Sequence, residues 1–240
     1  MLSPDRKAFL EAAQSGATMI PVACSWPADL ETPLTTWLKV GDQRPPGVLL
    51  ESVEGGETLG RWSVVACDPV WTLSAARDGL ERTWRDNHRE TFSGNPFDCL
   101  RSCLEPYRPA TLPGLPPLGQ LYGMWGYELI RWIEPSVPVH PASADGPPDG
   151  LWMLMDSILI FDQVKRLITA VAYGDLSGQR NAATSPEYAW DGAMARINSL
   201  RERMAAPLPP VRPLNWRPDR GTTPETRSNR TQEDFHQAVD

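Results

Sequence analysis

The chain has 240 residues, a formal net charge of −7 at pH 7 and a hydrophobic content of 41%. This hydrophobic fraction is ordinary for a protein with a buried core, and the negative charge provides no basic surface for a nucleic-acid backbone. No apolar run approaches the roughly 20 residues that cross a bilayer, and the N-terminus lacks a basic-then-apolar secretion signal. We therefore expect a cytoplasmic protein that binds neither nucleic acid nor a membrane.

The first predicted elements are a helix, a strand and a second helix. Ser3 is followed by proline, a pattern typical of a helix start, so we expect Ser3 to cap the first helix. Residues 18–22 are predicted to form a strand. Thr32 and Pro33 then begin the second helix, because the threonine side chain caps it and proline needs no amide donor in the first turn.

A hairpin follows, and it is the most informative segment of the chain. Residues 48–50 predict a short strand and residues 61–66 its return, joined by a turn that contains two glycines. Glu51 and Ser52 directly follow the first strand. An unpaired buried polar group costs about 2–7 kcal/mol, so these side chains either face water or bind a polar ligand. Spacing alone favours a solvated Glu51 that pairs with Arg61 at the surface.

Later segments extend the pattern of short strands. Strands are predicted at residues 70–75, 80–85, 118–127, 152–161 and 167–173. Turn signals between them favour antiparallel pairing, and a meander is the simplest order. Asn95-Pro96 and Ser185-Pro186 each start a further helix. The predicted fold class is α+β, with largely antiparallel sheets and flanking helices.

The sequence predicts four parts along the chain. They are a lobe at residues 1–178, a docking helix at 179–206, a proline-rich linker at 207–230 and the beginning of a further domain at 231–240. The helix carries an apolar stripe, whereas the prolines prevent a helix in the linker. Thr231 caps a helix start that runs to the last residue, which predicts that the chain is part of a longer protein.

Few residues are candidates for metal or nucleophile chemistry. Cys99 and Cys103 lie four residues apart on a predicted helix, a spacing that suits zinc if two more ligands are near. Packing among apolar neighbours is the favoured alternative, since free cysteine behaves as a small hydrophobe. The three histidines share no motif with a serine or cysteine nucleophile. We therefore assign no catalytic and no metal-binding residue to the chain.

Four segments, in the same order, resemble the N-terminal domain of anthranilate synthase component I, a chorismate-utilising enzyme. They are A-D-L-E-T-P at 28–33, L-L-E-S-V-E-G-G-E at 49–57, G-Q-L-Y-G-M-W-G-Y-E-L-I-R at 119–131 and P-D-G-L-W-M-L-M-D-S-I-L-I-F-D-Q at 148–163. Five residues depart from the family pattern: Met124, Trp125, Glu128, Gly150 and Gln163. In that pattern phenylalanine is usual in place of Trp125, methionine in place of Gly150 and histidine in place of Gln163.

The resemblance implies that the parent protein is a lyase of tryptophan biosynthesis, which converts chorismate and ammonia to anthranilate and pyruvate. It also implies a glutaminase partner, component II, and a magnesium ion. The segment at 228–235 resembles the beginning of the family's chorismate-binding domain, so the catalytic and magnesium-binding residues are expected beyond Asp240. The chain alone is therefore expected to be inactive.

The resemblance also implies a regulatory site in this stretch. In the family, the L-E-S segment lines a pocket for tryptophan, the feedback inhibitor. This implies that Glu51 and Ser52 bind tryptophan, with Arg61 and Ser63 on the returning strand shaping the pocket.

Two other functions stay open. Component I of aminodeoxychorismate synthase, in folate synthesis, shares the fold and the chorismate chemistry. A non-catalytic tryptophan-binding regulatory protein is the alternative from another class, which the interrupted helix at 231–240 disfavours.

Overall fold

The computed structural model describes residues 2–41, 46–51, 60–76, 79–111, 119–134, 136–137, 148–180, 182–210, 227–228 and 231–238. By its internal contacts the chain divides into two units, Met1–Pro209 and Pro210–Asp240. The strands of the described residues lie in the first unit. In chain order they are β1 (Leu2–Ser3), β2 (Met19–Pro27), β3 (Gly47–Leu50), β4 (Trp62–Cys67), β5 (Trp71–Ala76), β6 (Gly79–Trp84), β7 (Arg89–Phe92), β8 (Leu121–Trp125), β9 (Gly150–Leu154), β10 (Ser157–Asp162) and β11 (Leu167–Asp175).

These strands form two sheets. Sheet A has the order β1-β2-β11-β10-β4-β3, and sheet B has the order β7-β6-β5-β9-β8. Neighbouring strands are antiparallel in both sheets. The predicted class is confirmed, and so is the pairing of β3 with β4 in the hairpin. The prediction of a simple meander is wrong, because β4 pairs with β10, almost a hundred residues later in the chain.

Helices flank the sheets. In the first unit they are α1 (Arg6–Gln14), α2 (Pro33–Val40), α3 (Pro96–Leu104), α4 (Ile130–Ile133) and α5 (Pro186–Ala205), and α4 follows a 3-10 turn at Tyr127–Leu129. The second unit contains α6 (Gln232–Gln237). Within the described residues, no helix is long and apolar enough to cross a membrane.

Most helices begin where the sequence predicts. The side chains that cap helices at their predicted starts are Thr32, Asn95, Ser185 and Thr231. The prediction for Ser3 is wrong, since Ser3 belongs to β1 and Asp5 caps α1 instead. The carboxylate of Asp5 accepts a hydrogen bond from the amide of Ala8 at 2.8 Å. A carboxylate at this position also meets the positive end of the helix dipole, which favours Asp5 as the cap.

Both faces of sheet A are buried, as the alternation along β11 shows. Ile168 and Ala170 face one apolar cluster, while Val171 and Tyr173 face the other. The first cluster includes residues of α1, α2 and α5, and the second includes residues of sheet B and α3. Sheet A is therefore the middle layer between helices and sheet B. The predicted docking helix, α5, packs on sheet A of its own unit.

One predicted strand is in fact two. Residues 152–161 form an almost continuous apolar run, which predicts a single strand, but the structure ends β9 at Leu154 and begins β10 at Ser157. The chain crosses from sheet B to sheet A between them, at Met155 and Asp156. The break escaped prediction because apolar periodicity alone does not show where a buried strand changes sheet.

Arg85 contacts both segments at which the chain crosses between the two sheets. Arg85 binds the buried carboxylate of Asp156 through two hydrogen bonds of 2.9 and 3.0 Å. Its Nε atom donates to the carbonyl oxygen of Pro69 at 3.2 Å and lies 3.3 Å from the carboxylate of Asp68. Asp68 and Pro69 belong to the segment that crosses from β4 to β5. Arg85 therefore connects both covalent links between the sheets.

Candidate functional site

The residues assigned to the tryptophan pocket come from β3 and β4, at one edge of sheet A. Glu51 follows β3 directly and is exposed, whereas Ser63 lies in β4 with only 1% of its surface exposed. Because Leu50 lies opposite Val64, Glu51 and Ser63 stand at the same end of the strand pair. Ser52, the central residue of the predicted pocket, lies outside the described residues.

Arg61 precedes β4 and binds a carboxylate on the neighbouring strand. Its Nε and Nη2 atoms donate to the two oxygens of Asp162 at 3.1 and 2.6 Å. The guanidinium also lies 4.5 Å from the centre of the Trp62 ring, a distance typical of a cation–π contact. Sequence proximity favours Glu51 as a partner of Arg61, but the structure pairs Arg61 with Asp162, which lies 101 residues further along the chain.

Asp162 also fixes the turn between β10 and β11. Its Oδ1 atom accepts hydrogen bonds from the backbone amides of Val164 and Lys165 at 3.1 and 3.0 Å. The hydrogen bonds from Arg61 and these amides hold the pKa of Asp162 below its usual value, because they favour the charged carboxylate. Arg61 thus acts on the site by holding this turn in place.

The same turn also contacts Ser63, the predicted pocket residue of β4. The side-chain amide of Gln163 donates to the hydroxyl oxygen of Ser63 at 3.2 Å. Gln163 is one of the five departures from the family pattern, and its backbone amide continues the ladder to the carbonyl oxygen of Arg61 at 2.9 Å. Sequence reasoning did not assign Asp162 or Gln163 to the site, although both end the apolar strand in the fourth family-like segment.

Of these side chains, Glu51 presents its polar group to solvent. Its exposed carboxylate suits an ammonium group, whereas Ser63 is buried and its hydroxyl oxygen accepts a hydrogen bond from Gln163. Arg61 is engaged with Asp162, so its assigned role is to shape the pocket. The three described residues present no nucleophile activated by a neighbouring base.

Two further departures from the family pattern lie in contact in sheet B. Trp125 of β8 pairs with Gly150 of β9. A Cβ atom on Gly150 would lie 2.1 Å from the Trp125 ring, closer than any real contact. The Trp125 ring itself packs between Phe97 and Trp152, with centroid distances of 5.2 and 5.6 Å. The glycine therefore provides the space that the larger aromatic ring needs.

A polar cavity of about 340 Å³ lies near the other end of β10. Arg85, Asp156 and Arg196 line it, and the Nε atom of Arg196 is 3.6 Å from Asp156. Asp175 also lines the cavity, and burial raises the pKa of its carboxyl group. Sequence reasoning missed this cluster because its members come from separate elements. The two arginines neutralise Asp156, so the cluster is a structural ion-pair network.

Cys99 and Cys103 pack among apolar neighbours, as the sequence predicts. Cys103 is buried in the apolar cluster that sheet A shares with sheet B, and Cys99, Leu100 and Leu104 pack against that cluster. Burial raises the pKa of both thiols on this helix. Among the residues that the structure describes, no group of three or more His, Cys, Asp or Glu side chains is placed to hold a metal ion.

Comparison with known proteins finds several relatives that share one name. Anthranilate synthase component 1 of Synechocystis sp. is 50% identical over 211 residues, which cover 88% of this chain and 41% of the relative. The proteins of the same name from Pseudomonas putida and Pseudomonas aeruginosa are 33% and 34% identical, and each match covers 98% of this chain and 46% of the relative. No family model matches the chain.

The crystal structure of anthranilate synthase component I from Streptococcus pneumoniae aligns with a TM-score of 0.49 at 20% identity, covering 77% of this chain and 37% of that one. The sequence matches show that the chain is a member of a biosynthetic enzyme family. It belongs to the anthranilate synthase component I family. The chain spans less than half the length of the curated relatives it matches.

Proposed function

We propose that the chain is the N-terminal, tryptophan-sensing part of an anthranilate synthase component I. The longer protein would convert chorismate and ammonia to anthranilate, pyruvate and water, with ammonia supplied by a glutaminase subunit, component II. The observation that carries the proposal is the 50% identity over 88% of the chain with the Synechocystis protein of that name. The chain itself would supply regulation, and it would be inactive without the remaining part.

The geometry at the end of sheet A supports the regulatory role. Glu51 directly follows β3, and the returning strand β4 carries Ser63 at the same end of the strand pair. In this proposal Glu51 and Ser52 contact the polar groups of tryptophan. Arg61, just before β4, and Gln163, in the turn after β10, hold the pocket in shape. Magnesium would be held by residues outside this chain.

Feedback requires that tryptophan bind one arrangement of the enzyme better than another. A difference of about 1–3 kcal/mol, or 5- to 150-fold in affinity, is typical of such coupling. A ligand that bound both arrangements equally would not inhibit, however tightly it bound. The regulatory lobe therefore needs both a ligand site and a contact with the catalytic part.

The test uses a chimeric enzyme in which this whole chain replaces the matched region of the Synechocystis protein. We expect the chimera to form fluorescent anthranilate from chorismate and ammonia, and tryptophan to inhibit it. Ser52→Phe should abolish inhibition and keep the activity, since the larger side chain fills the pocket. Ser199→Phe, at an exposed position of α5, is the matched control and should leave inhibition unchanged.

Three results would contradict the proposal. Formation of aminodeoxychorismate in place of anthranilate by the full-length protein that contains this chain would assign the chain to the folate enzyme. A chimera without activity, combined with tryptophan binding by the 240-residue chain alone, would favour a non-catalytic regulator. Unchanged inhibition of an active Ser52→Phe enzyme would remove this serine from the site.

A further inference from the structure

Leu30 is an exposed apolar side chain on a loop whose backbone is held by hydrogen bonds. It lies between β2 and α2, in the A-D-L-E-T-P segment, and 95% of its surface is exposed. The loop is held at both ends: the amide of Ala28 donates to the carbonyl oxygen of Arg166 at 2.9 Å, and Thr32 caps α2. Between them, the amide of Glu31 donates to the carbonyl oxygen of Ala28 at 3.1 Å.

A mostly buried ion pair adds a third anchor. Glu31 binds Lys39 of α2, and the side chains are 17% and 11% exposed. Lys39 also donates to the carbonyl oxygen of Met204 near the end of α5, at 3.1 Å. The backbone that carries Leu30 is therefore held in place by three sets of contacts, and it keeps the leucine side chain exposed.

Leu30 lines a cavity of about 460 Å³. We define the Leu30 surface as the apolar residues of this cavity: Trp26, Pro27, Leu30, Met204 and Ala205. Asp29, Glu31 and Arg201 stand among them and complete the lining. Leu34, in the first turn of α2, does not line the cavity but is also exposed, with 55% of its surface accessible. An apolar patch with charged residues among its neighbours is typical of a surface that binds another polypeptide segment.

One turn of the backbone connects the Leu30 loop with the candidate tryptophan site. Arg166, which accepts the hydrogen bond from Ala28, ends the turn that begins after Asp162. Asp162 holds Arg61 in that site, and Gln163 holds Ser63. The same short turn therefore contacts both the candidate tryptophan site and the Leu30 loop.

We propose that the Leu30 surface is where this lobe contacts the part of the longer family protein that the chain does not match. This inference rests on the proposed function, because feedback requires such a contact. The matches cover only 41% and 46% of the relatives, so more than half of their length is available as the occupant. A second copy fits less well, since each copy carries a net charge of −7.

The first experiment is hydrogen–deuterium exchange, which does not depend on activity. Uptake across residues 26–37 is compared between the 240-residue chain and the chimera with the Synechocystis protein. We expect slower exchange in the chimera, because the occupant covers the loop. Equal exchange in both proteins would overturn the proposal, whatever the enzyme assay shows.

The second experiment replaces Leu30 in the chimera. Leu30→Glu should raise the tryptophan concentration for half-inhibition about tenfold or more, within the usual range of allosteric coupling. Leu30→Met keeps the apolar side chain and should behave as the wild type. Tyr188→Glu changes an aromatic residue of the first α5 turn, 68% exposed, and is the charge control at the far end of α5 from Met204.

The controls separate this inference from the proposed function. Leu30→Glu should leave the unfolding free energy of the 240-residue chain unchanged, since the side chain is already exposed. If the chimera is inactive or insensitive to tryptophan, the proposed function fails, and exchange at residues 26–37 alone decides the surface. If the 240-residue chain dimerises in sedimentation experiments and Leu30→Glu abolishes the dimer, the occupant is a second copy and the proposal is wrong. Inhibition unchanged by Leu30→Glu would also contradict it.

Discussion

The contact between Trp125 and Gly150 predicts that two departures from the family pattern depend on each other. Gly150→Met restores the methionine usual at that position. Its Cβ atom would lie 2.1 to 2.3 Å from ring atoms of Trp125, so the ring must move away from Phe97 and Trp152. Overpacking of this kind costs about 1–3 kcal/mol, and loss of the aromatic contacts adds to it. We expect Gly150→Met alone to lower the free energy of unfolding by about 2–4 kcal/mol.

The second substitution relieves the first. Trp125→Phe alone leaves a void beside Gly150 and should cost about 1–3 kcal/mol. The double variant combines the smaller ring with the larger neighbour, as the family pattern does, so its loss should be smaller than the sum of the single losses. We expect a favourable coupling energy of about 1–3 kcal/mol between the two positions.

The assay is a double-mutant cycle. Urea unfolding of the four proteins is followed by far-UV circular dichroism, because Trp125→Phe removes a fluorophore. Additive losses, within about 0.5 kcal/mol, would refute the reasoning, since distant independent sites behave in that way. A double variant less stable than both single variants would refute it as well.

Three further predictions concern ion pairs and glycines. Arg61→Leu should lower the free energy of unfolding by about 1–3 kcal/mol at pH 7, and Asp162→Asn should remove most of that difference in a double-mutant cycle. This stabilisation should be lost at low pH, because a depressed pKa stabilises the fold only while the carboxylate of Asp162 is charged. Burial raises the pKa of Asp175, so its ionisation lowers the free energy of unfolding as the pH rises above about 4, the usual carboxyl pKa. Asp175→Asn should flatten this decline when the free energy of unfolding is measured from pH 4 to pH 7. Equal slopes for the variant and the wild type would contradict the prediction. Gly123→Ala should lower the free energy of unfolding by at least about 2 kcal/mol, since its Cβ would lie 2.2 Å from a backbone oxygen of the neighbouring strand. Gly192→Ala, in the open interior of α5, should raise the free energy of unfolding by up to about 1 kcal/mol. Urea unfolding of both variants distinguishes the loss from the gain.

Local sequence signals predicted the local structure well. Thr32 and Asn95 were identified as helix starts because their caps act within three residues, and the β3–β4 hairpin follows from its alternating strands and glycine turn. The error at Ser3 has the same local origin, since a nearby carboxylate, Asp5, was the stronger cap.

The sequence did not predict contacts between distant residues. Arg61 binds Asp162, which lies 101 residues further along the chain, and no local pattern indicates that pairing. The crossing at Asp156 was missed for a related reason: its partner Arg85 lies 71 residues away, while the apolar run around Asp156 suggests one strand. The fold class was predictable from strand lengths and turn signals, whereas strand order and the ion pairs of the candidate site depend on long-range register.

The connection that Arg85 makes has a consequence for how the first unit unfolds. The crossings at Asp68 and Asp156 join sheets A and B covalently, and the same guanidinium binds both. Opening either sheet would therefore disturb the contacts that Arg85 makes with both crossings. We infer that the two sheets form one cooperative unit, in which the amides of β5 and β10 exchange with deuterium at the same free energy of opening.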